Sequence, residues 1–239
     1  MNKVDLLFIV DVTGSMGGFI SEAKRRMQDI LETLSEKHKV DLQVALSFYR
    51  DHPSQENTFV TAVYDLDNFE KASATIKQVS VNGGGDFPEA VLDGIVDGIK
   101  DQKWREGSRR IAFLIGDAPA HGMYANENCC MCGLTWGDAV RTAQDNKVTI
   151  YSIVLGDNSD AVSTFKTIAN FTGGILINTS GSAMDIILET LAEEFDSLNL
   201  STKIISMLSQ KHSQEEICKM LGIDRDKFSA SMSKAYSIV

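Results

Sequence analysis

The sequence predicts a three-layer α/β fold. A mostly parallel six-stranded sheet lies between two helical layers, with one antiparallel edge strand and a small helical C-terminal tail. Three observations predict it. Strand-like and helix-like segments alternate along most of the chain. The runs IAFLIG (111–116) and IYSIVLG (150–156) are continuously apolar, as strands covered on both faces are. One connection between strands is too short to hold a crossover helix.

The first strand is read at 4–11, where only Asp5 breaks the apolar run before Asp11. A helix at 19–38 follows. Strands at 40–50 and 58–66 are joined by DHPSQEN, which can close a hairpin but not a parallel crossover, so one edge strand should run antiparallel. Next come helices at 68–79 and 88–102, separated by a glycine-rich loop. Then follow a strand at 109–117, a long loop, and a helix at 136–147. A strand at 148–156, a helix at 159–172, a strand at 174–180 and a helix at 183–199 complete a Rossmann-like order. With three prolines and no low-complexity tract, no disordered linker is read. From residue 201 the chain changes character and reads as short helices at 201–211, 214–221 and 225–237. The expected division is a domain at 1–200 and a three-helix appendage at 201–239.

Composition narrows the function. The 239 residues carry a net charge of −10, which argues against a general polyanion binder. The charge is uneven: residues 1–200 hold 17 Lys+Arg against 29 Asp+Glu, and residues 201–239 hold 6 against 4. The first apolar run contains Asp5 and Asp11, so it reads as a core strand and not as a signal peptide. No apolar run approaches the roughly 18 residues a membrane helix needs, so no membrane partner is expected. Three of the four cysteines crowd into 129–132, unlike a secreted disulfide framework, so a reducing cytoplasm is the expected setting.

Ligands of an open parallel sheet bind beyond the carboxyl ends of the strands. Three loops there present oxygen donors. The first offers Asp11, Thr13 and Ser15. The second, Asn82-Gly83-Gly84-Gly85-Asp86-Phe87-Pro88-Glu89, offers Asp86 just before a helix that Pro88 can open. The third, Gly116-Asp117-Ala118-Pro119-Ala120-His121-Gly122, offers Asp117. Each loop also has a local reading: Thr13 or Ser15 as a helix cap, Asp86 and Glu89 as a capping box, Asp117 as a turn former. A divalent cation gives all three loops one cause and offsets the repulsion among Asp11, Asp86 and Asp117. Hard oxygen donors suit Mg²⁺, with Mn²⁺ or Ca²⁺ as alternatives.

These motifs, DxTGS after the first strand, GGGDxPE before a helix and DAPxHG after a central strand, resemble the von Willebrand factor A domain and its metal-ion-dependent adhesion site. Tyr49-Arg50-Asp51-His52-Pro53 is similar to the branch of that family joined to alpha-kinase domains. The resemblance covers about residues 1–200. It implies that Asp11, Thr13, Ser15 and Asp117 ligate the metal, with Thr13 in place of a serine. Asp86 stands where many members have a threonine. The resemblance further implies a module in which the cation coordinates an acidic residue, Asp or Glu, of a partner protein, as an adaptor or scaffold would. Arg50, Asp51, His52 and His121 are expected to form a partner-binding rim.

The long third loop carries Cys129, Cys130 and Cys132. Zinc held by these thiols with His121 or Cys218, redox chemistry, and inert thiols are all open readings, because C-C-x-C is not a paired CxxC motif. In the tail, SQEEICKMLGIDRDKFSASMSKA resembles a helix-turn-helix, with Ser213 as cap, Ile217 and Leu221 packing, Gly222 in the turn, and Ile223 and Phe228 anchoring the next helix. Its basic residues Arg225, Lys227 and Lys234 are offset by Asp224 and Asp226, so nucleic acid is not expected as a partner. Oligomerisation or docking is the simpler role.

The alternatives are a metal-dependent, phosphatase-like hydrolase and a DNA-associated regulator acting through the tail. Phosphatases of the haloacid dehalogenase type need DxD, and position 13 is Thr. No GxxxxGK[ST] or GxSxG motif is present, and no kinase-sized region lies outside the domain. The expectation is therefore a protein that is not an enzyme.

Overall fold

The computed structural model describes residues 1–125, 127–179 and 181–236, with side chains described through Ser233. The expected strand end at Ser180, the expected helix end at Ser237 and the side chain of Lys234 lie outside the described residues. The strands are β1 (Asn2–Asp11), β2 (Val40–Tyr49), β3 (Thr61–Asp67), β4 (Arg109–Gly116), β5 (Val148–Leu155) and β6 (Leu176–Thr179). They form one sheet in the order β3-β2-β1-β4-β5-β6. Five strands are parallel, and β3 pairs antiparallel with β2 through the short connection.

The sheet is covered on both faces. Alternate residues of β1 enter two separate cores: Leu6, Phe8 and Val10 on one side, Leu7 and Ile9 on the other. Helices α1 (Gly17–His38), α2 (Phe69–Gln78) and α6 (Ala183–Ser209) cover the first face. Helices α3 (Val91–Lys100), α4 (Trp136–Asp145) and α5 (Ser159–Phe171) cover the second. In α1 the apolar residues Phe19, Ile20, Ala23, Met27, Ile30, Leu31 and Leu34 recur at helical spacing and are buried, and Lys39 ends the helix in a left-handed conformation.

The polar break in β1 is structural. Asp5 is fully buried and accepts from the Arg105 backbone N–H at 2.7 Å, Arg105 Nε at 2.6 Å and Ser108 Oγ at 2.8 Å. Arg105 also donates from Nη1 to Asp41 at 2.7 Å. A buried carboxylate is tolerable there because a charged, hydrogen-bonded partner meets it.

Two readings are corrected. The segments expected as helices 183–199 and 201–211 form one continuous helix, α6. No Gly or Pro interrupts Asn199-Leu200-Ser201-Thr202, and a change of composition does not break a helix. Helix α3 begins at Val91 rather than near Pro88, because the Glu89 backbone is held by the third loop.

After α6 come α7 (Gln214–Leu221) and α8 (Arg225–Tyr236). Ser213 and Glu216 make a capping box, and Gly222 closes α7 in a left-handed conformation. Ile204 of α6, Ile217 and Phe228 form a small separate core, flanked by Leu221 and Ile223. Arg225 is paired with Glu215 at 2.7 Å, which thins the basic face further. Among the described residues, no helix is long and apolar enough to cross a membrane.

Candidate metal centre

Strands β1 and β4 are neighbours, but the chain leaves them toward opposite sides of the sheet. That opens a crevice at their carboxyl ends. Asp11 closes β1 and is fully buried. Its Oδ1 accepts from the Thr13 backbone N–H at 2.8 Å and from the Thr13 hydroxyl at 2.6 Å. Thr13 Oγ1 lies 3.4 Å from Ser15 Oγ, and Ser15 is exposed at the mouth. Neither Thr13 nor Ser15 caps a helix through its side chain. The capping explanation therefore fails: the Thr13 hydroxyl is turned to the Asp11 carboxylate, and the Ser15 hydroxyl faces Thr13.

The glycine loop packs directly on this turn. Gly14 N–H donates to Gly83 O at 3.3 Å, and Asn82 N–H donates to Val12 O at 3.1 Å. Gly84 has φ +87°, and a Cβ there would lie 3.1 Å from Glu89 Oε1 and 3.3 Å from Thr13 Cβ. Only glycine allows so close an approach in that conformation.

Glu89 is the residue that sequence reasoning missed. Its N–H donates to Pro119 O at 2.9 Å, and its carbonyl accepts from His121 N–H at 3.1 Å. This short parallel bridge to the third loop delays the helix and buries the Glu89 carboxyl, which is 4% exposed. Its place in GGGDxPE was a signal, but it reads equally well as the end of a capping box. The capping box does not form, since α3 has Ala90 at its N-cap and no side-chain cap.

Asp117 follows β4 and is partly exposed. The approach of the two strand ends is tight: a Cβ at Gly116 would lie 3.4 Å from Asp11 Cβ. Asp86 sits farther out. Its side chain is 39% exposed, Oδ2 accepts from Gln55 Nε2 at 3.2 Å, and Oδ1 lies 3.7 Å from His121 Nε2.

The expected rim is not a rim. Arg50, Asp51, His52 and His121 are 4%, 0%, 5% and 2% exposed. Arg50 is held by Thr58 at 2.6 Å, the Ser80 carbonyl at 2.9 Å, Glu56 at 3.6 Å and the face of Phe59. Asp51 Oδ1 accepts from the His52 backbone N–H at 2.6 Å and lies 3.0 Å from His121 Nε2. These residues form the wall behind the crevice, because the 50–60 connection folds under the second and third loops.

Burial and mutual repulsion govern the carboxylates of the crevice. Burial, reinforced by Asp117 and Asp51, pushes Asp11 up to about 7 against the two Thr13 hydrogen bonds. Burial, with Asp11, Asp51, Asp117 and Asp86 adding, pushes Glu89 up to about 9. Burial also raises Asp51. Asp11 Oδ2, Asp51 Oδ2 and Glu89 Oε2 are buried without a hydrogen-bond donor. An unpaired buried acceptor costs about 1–3 kcal/mol. A divalent cation would reverse this balance by stabilising the ionised carboxylates. The donor set of carboxylates and hydroxyls is hard and fits Mg²⁺.

The cysteines divide. Cys129 is exposed, and Cys218 packs against the tail core. Cys130 and Cys132 are brought to His52 and Asp93, and not to His121.

A family model of the von Willebrand factor A domain matches residues 5–181. The alpha-protein kinase vwkA of Dictyostelium discoideum is 38% identical over 120 residues, which is 50% of this chain and 19% of that protein. The chain thus spans about a fifth of that curated relative. Among solved structures, a pilus adhesin, SpaC of Lactobacillus rhamnosus GG, superposes with a TM-score of 0.58 at 13% identity, covering 82% of this chain and 30% of the adhesin. Proximal thread matrix protein 1 of the mussel byssus, solved with a zinc-occupied adhesion motif, superposes with a TM-score of 0.57 at 15% identity, covering 80% of this chain and 45% of that one. At these identities the two structures establish the fold.

Proposed function

The chain belongs to the von Willebrand factor A domain family, and on that premise we propose that it is a cytoplasmic, non-enzymatic adaptor module that captures a partner protein through a bound divalent cation. One observation carries the proposal: Asp11 Oδ2 is buried and unpartnered at the point where three oxygen-bearing loops meet. Asp11, Thr13, Ser15 and Asp117 would hold the cation, with Glu89 and Asp86 close by. Mg²⁺ is the expected ion, since it keeps several waters and so leaves positions a partner can take. The zinc at the mussel protein's adhesion motif puts Mn²⁺ and Zn²⁺ in the set to compare.

The chemistry supplied by the cation is the coordination of an oxygen from outside, here an Asp or Glu of the partner. The residues of this chain orient it. Asp11 and Glu89, once ionised, would hold negative charge beneath the site, and the 3.4 Å pair of hydroxyls offers neutral donors near the mouth. The added carboxylates reduce the cation's remaining pull on a partner carboxylate, so binding strength must come partly from the surrounding surface. Phe87 and Tyr124, stacked edge to face at 5.5 Å beside the mouth, offer such a surface. The tail serves as a separate docking or oligomerisation element.

The test is calorimetric titration with Mg²⁺ and Mn²⁺, followed by affinity capture with and without EDTA. Wild-type protein should bind one ion and lose its captured partner in EDTA, and Asp11→Ala should do neither while keeping its far-UV spectrum. Absence of ion binding by the wild type would sink the proposal. Turnover of a phosphoester panel that Asp11→Asn abolishes would favour an enzyme instead.

A further inference from the structure

Behind the crevice, outside the acidic set just described, lies a second group of donors from three distant parts of the chain. His52 comes from the connection after β2, Asp93 from the first turn of α3, and Cys130 and Cys132 from the long third loop. One ligand atom of each falls within 4.8 Å of all the others. Cys130 Sγ lies 3.1 Å from Asp93 Oδ2 and 3.5 Å from His52 Nε2, and His52 Nε2 lies 3.3 Å from the same Asp93 oxygen. Three of the four side chains are buried, and Cys132 faces the surface.

Those separations can be compared with a coordination polyhedron. Zinc bonds of about 2.3 Å to sulfur, 2.0–2.1 Å to nitrogen and 2.0–2.2 Å to oxygen, at tetrahedral angles, set ligand atoms about 3.4–3.6 Å apart for N···O, S···N and S···O pairs. The three measured separations of 3.1, 3.3 and 3.5 Å describe nearly that face, and Cys132 supplies the fourth vertex. Two thiolates, an imidazole and a carboxylate form a set suited to Zn²⁺ and poorly suited to Mg²⁺. Asp51 Oδ1 lies 3.7 Å from His52 Nδ1, beyond hydrogen-bond length, and Cys130 Sγ lies 3.9 Å from the same nitrogen.

We propose that His52, Asp93, Cys130 and Cys132 form a structural zinc site, distinct from the acidic crevice, that fastens the long third loop to α3 and to the β2–β3 connection. Binding deprotonates both cysteines, releasing two protons to solvent, and forms two Zn–S bonds with no change of oxidation state. Four protein ligands leave no open position, so the site holds structure and does not catalyse. The loop needs such a fastening. Among its described residues from Asp117 to Thr135 there is no helix or strand, and its Gly122 passes so close to Cys129 and Cys130 that a Cβ would lie 2.6 Å from the Cys130 backbone nitrogen. Burial and the Asp93 carboxylate raise both thiols while no cation is present, so the metal-free cluster is held by the Cys130 S–H donating to Asp93.

The test loads the reduced full chain with Co²⁺ as a visible substitute for Zn²⁺. One Co²⁺ per chain should give thiolate-to-cobalt charge-transfer absorption and the visible bands of a tetrahedral ion, and Zn²⁺ should displace it stoichiometrically. Cys132→Ser, at an exposed position that does not threaten folding, removes one of the two thiolates and should lose about half or more of the charge-transfer intensity, and Asp93→Asn should weaken Co²⁺ binding. Cys129→Ser should keep the band. Asp11→Ala should also keep it, so this result stands apart from the outcome at the crevice. A reduced wild-type chain without the band, or a band of undiminished intensity in Cys132→Ser, overturns the proposal.

Discussion

Replacing Asp11 by Asn is close to isosteric. Oδ1 remains to accept from Thr13, and an NH₂ takes the place of the unpartnered Oδ2. What changes is the cost of ionising a buried acid. In EDTA the wild-type carboxyl titrates at about 7 in the folded chain, against 3.8 for the ordinary group. A carboxyl whose folded-state pKa is raised holds its proton better when folded. Its contribution is therefore present in full below the unfolded value and is lost as pH rises through the folded one. At about 1.36 kcal/mol per pH unit, the roughly three-unit interval comes to on the order of 4 kcal/mol. Asn does not titrate and escapes this loss. Urea unfolding in EDTA should show wild type falling relative to Asp11→Asn between pH 4 and pH 7, with little further change to pH 9. Adding Mg²⁺ should offset most of that loss, since a ligand at 100 times its Kd stabilises the folded state by about 2.7 kcal/mol and only wild type binds it. Parallel pH profiles in EDTA, or equal stabilisation of both proteins by Mg²⁺, would refute the reasoning.

Three further outcomes are expected. Glu89→Gln should weaken Mg²⁺ binding about 10–100-fold, the range typical of groups supporting a metal. Calorimetry across pH should show affinity rising up to about 9 in wild type, where Glu89 loses its proton, and levelling near 7 in the variant, where Asp11 does. Gly84→Ala should cost about 1–2 kcal/mol for a left-handed non-glycine residue and lower Mg²⁺ affinity by displacing Glu89 or Thr13, both measurable by urea unfolding and titration. Arg105→Ala strips the charged partner from fully buried Asp5 and should cost about 3 kcal/mol in urea unfolding, with Mg²⁺ affinity unchanged because Asp5 lies at the opposite end of β1 from Asp11.

The sheet was readable because burial on both faces leaves a continuous apolar signature, as in 111–116 and 150–156, and because DHPSQEN is too short for a crossover. The first loop was readable because DxTGS concentrates oxygen donors where a strand ends. Glu89 was hidden because its role depends on a backbone bridge to Pro119 and His121, a contact between segments some 30 residues apart. The burial of Arg50, Asp51, His52 and His121 was hidden for a similar reason. Loop residues look exposed in sequence until another loop covers them. Asp93 resembles a solvent-facing helix residue in VLDGIVDGIK, and only the fold brings it to Cys130. The continuity of α6 was masked by a change in charge, which carries no information about backbone geometry.

Helix α6, capped by Ser182, begins at Ala183, just past the end of β6, and runs 27 residues, roughly 40 Å at 1.5 Å per residue. By residue 199 it lies beside the start of β1, where Asn199 accepts from Asn2 at 2.9 Å. The tail core therefore sits at the pole of the molecule opposite the crevice. Two partners could be held at once without colliding, at a separation fixed by a rigid rod. The same geometry gives any bivalent partner one required reach, and a linker too short for that span would forfeit the gain of double attachment.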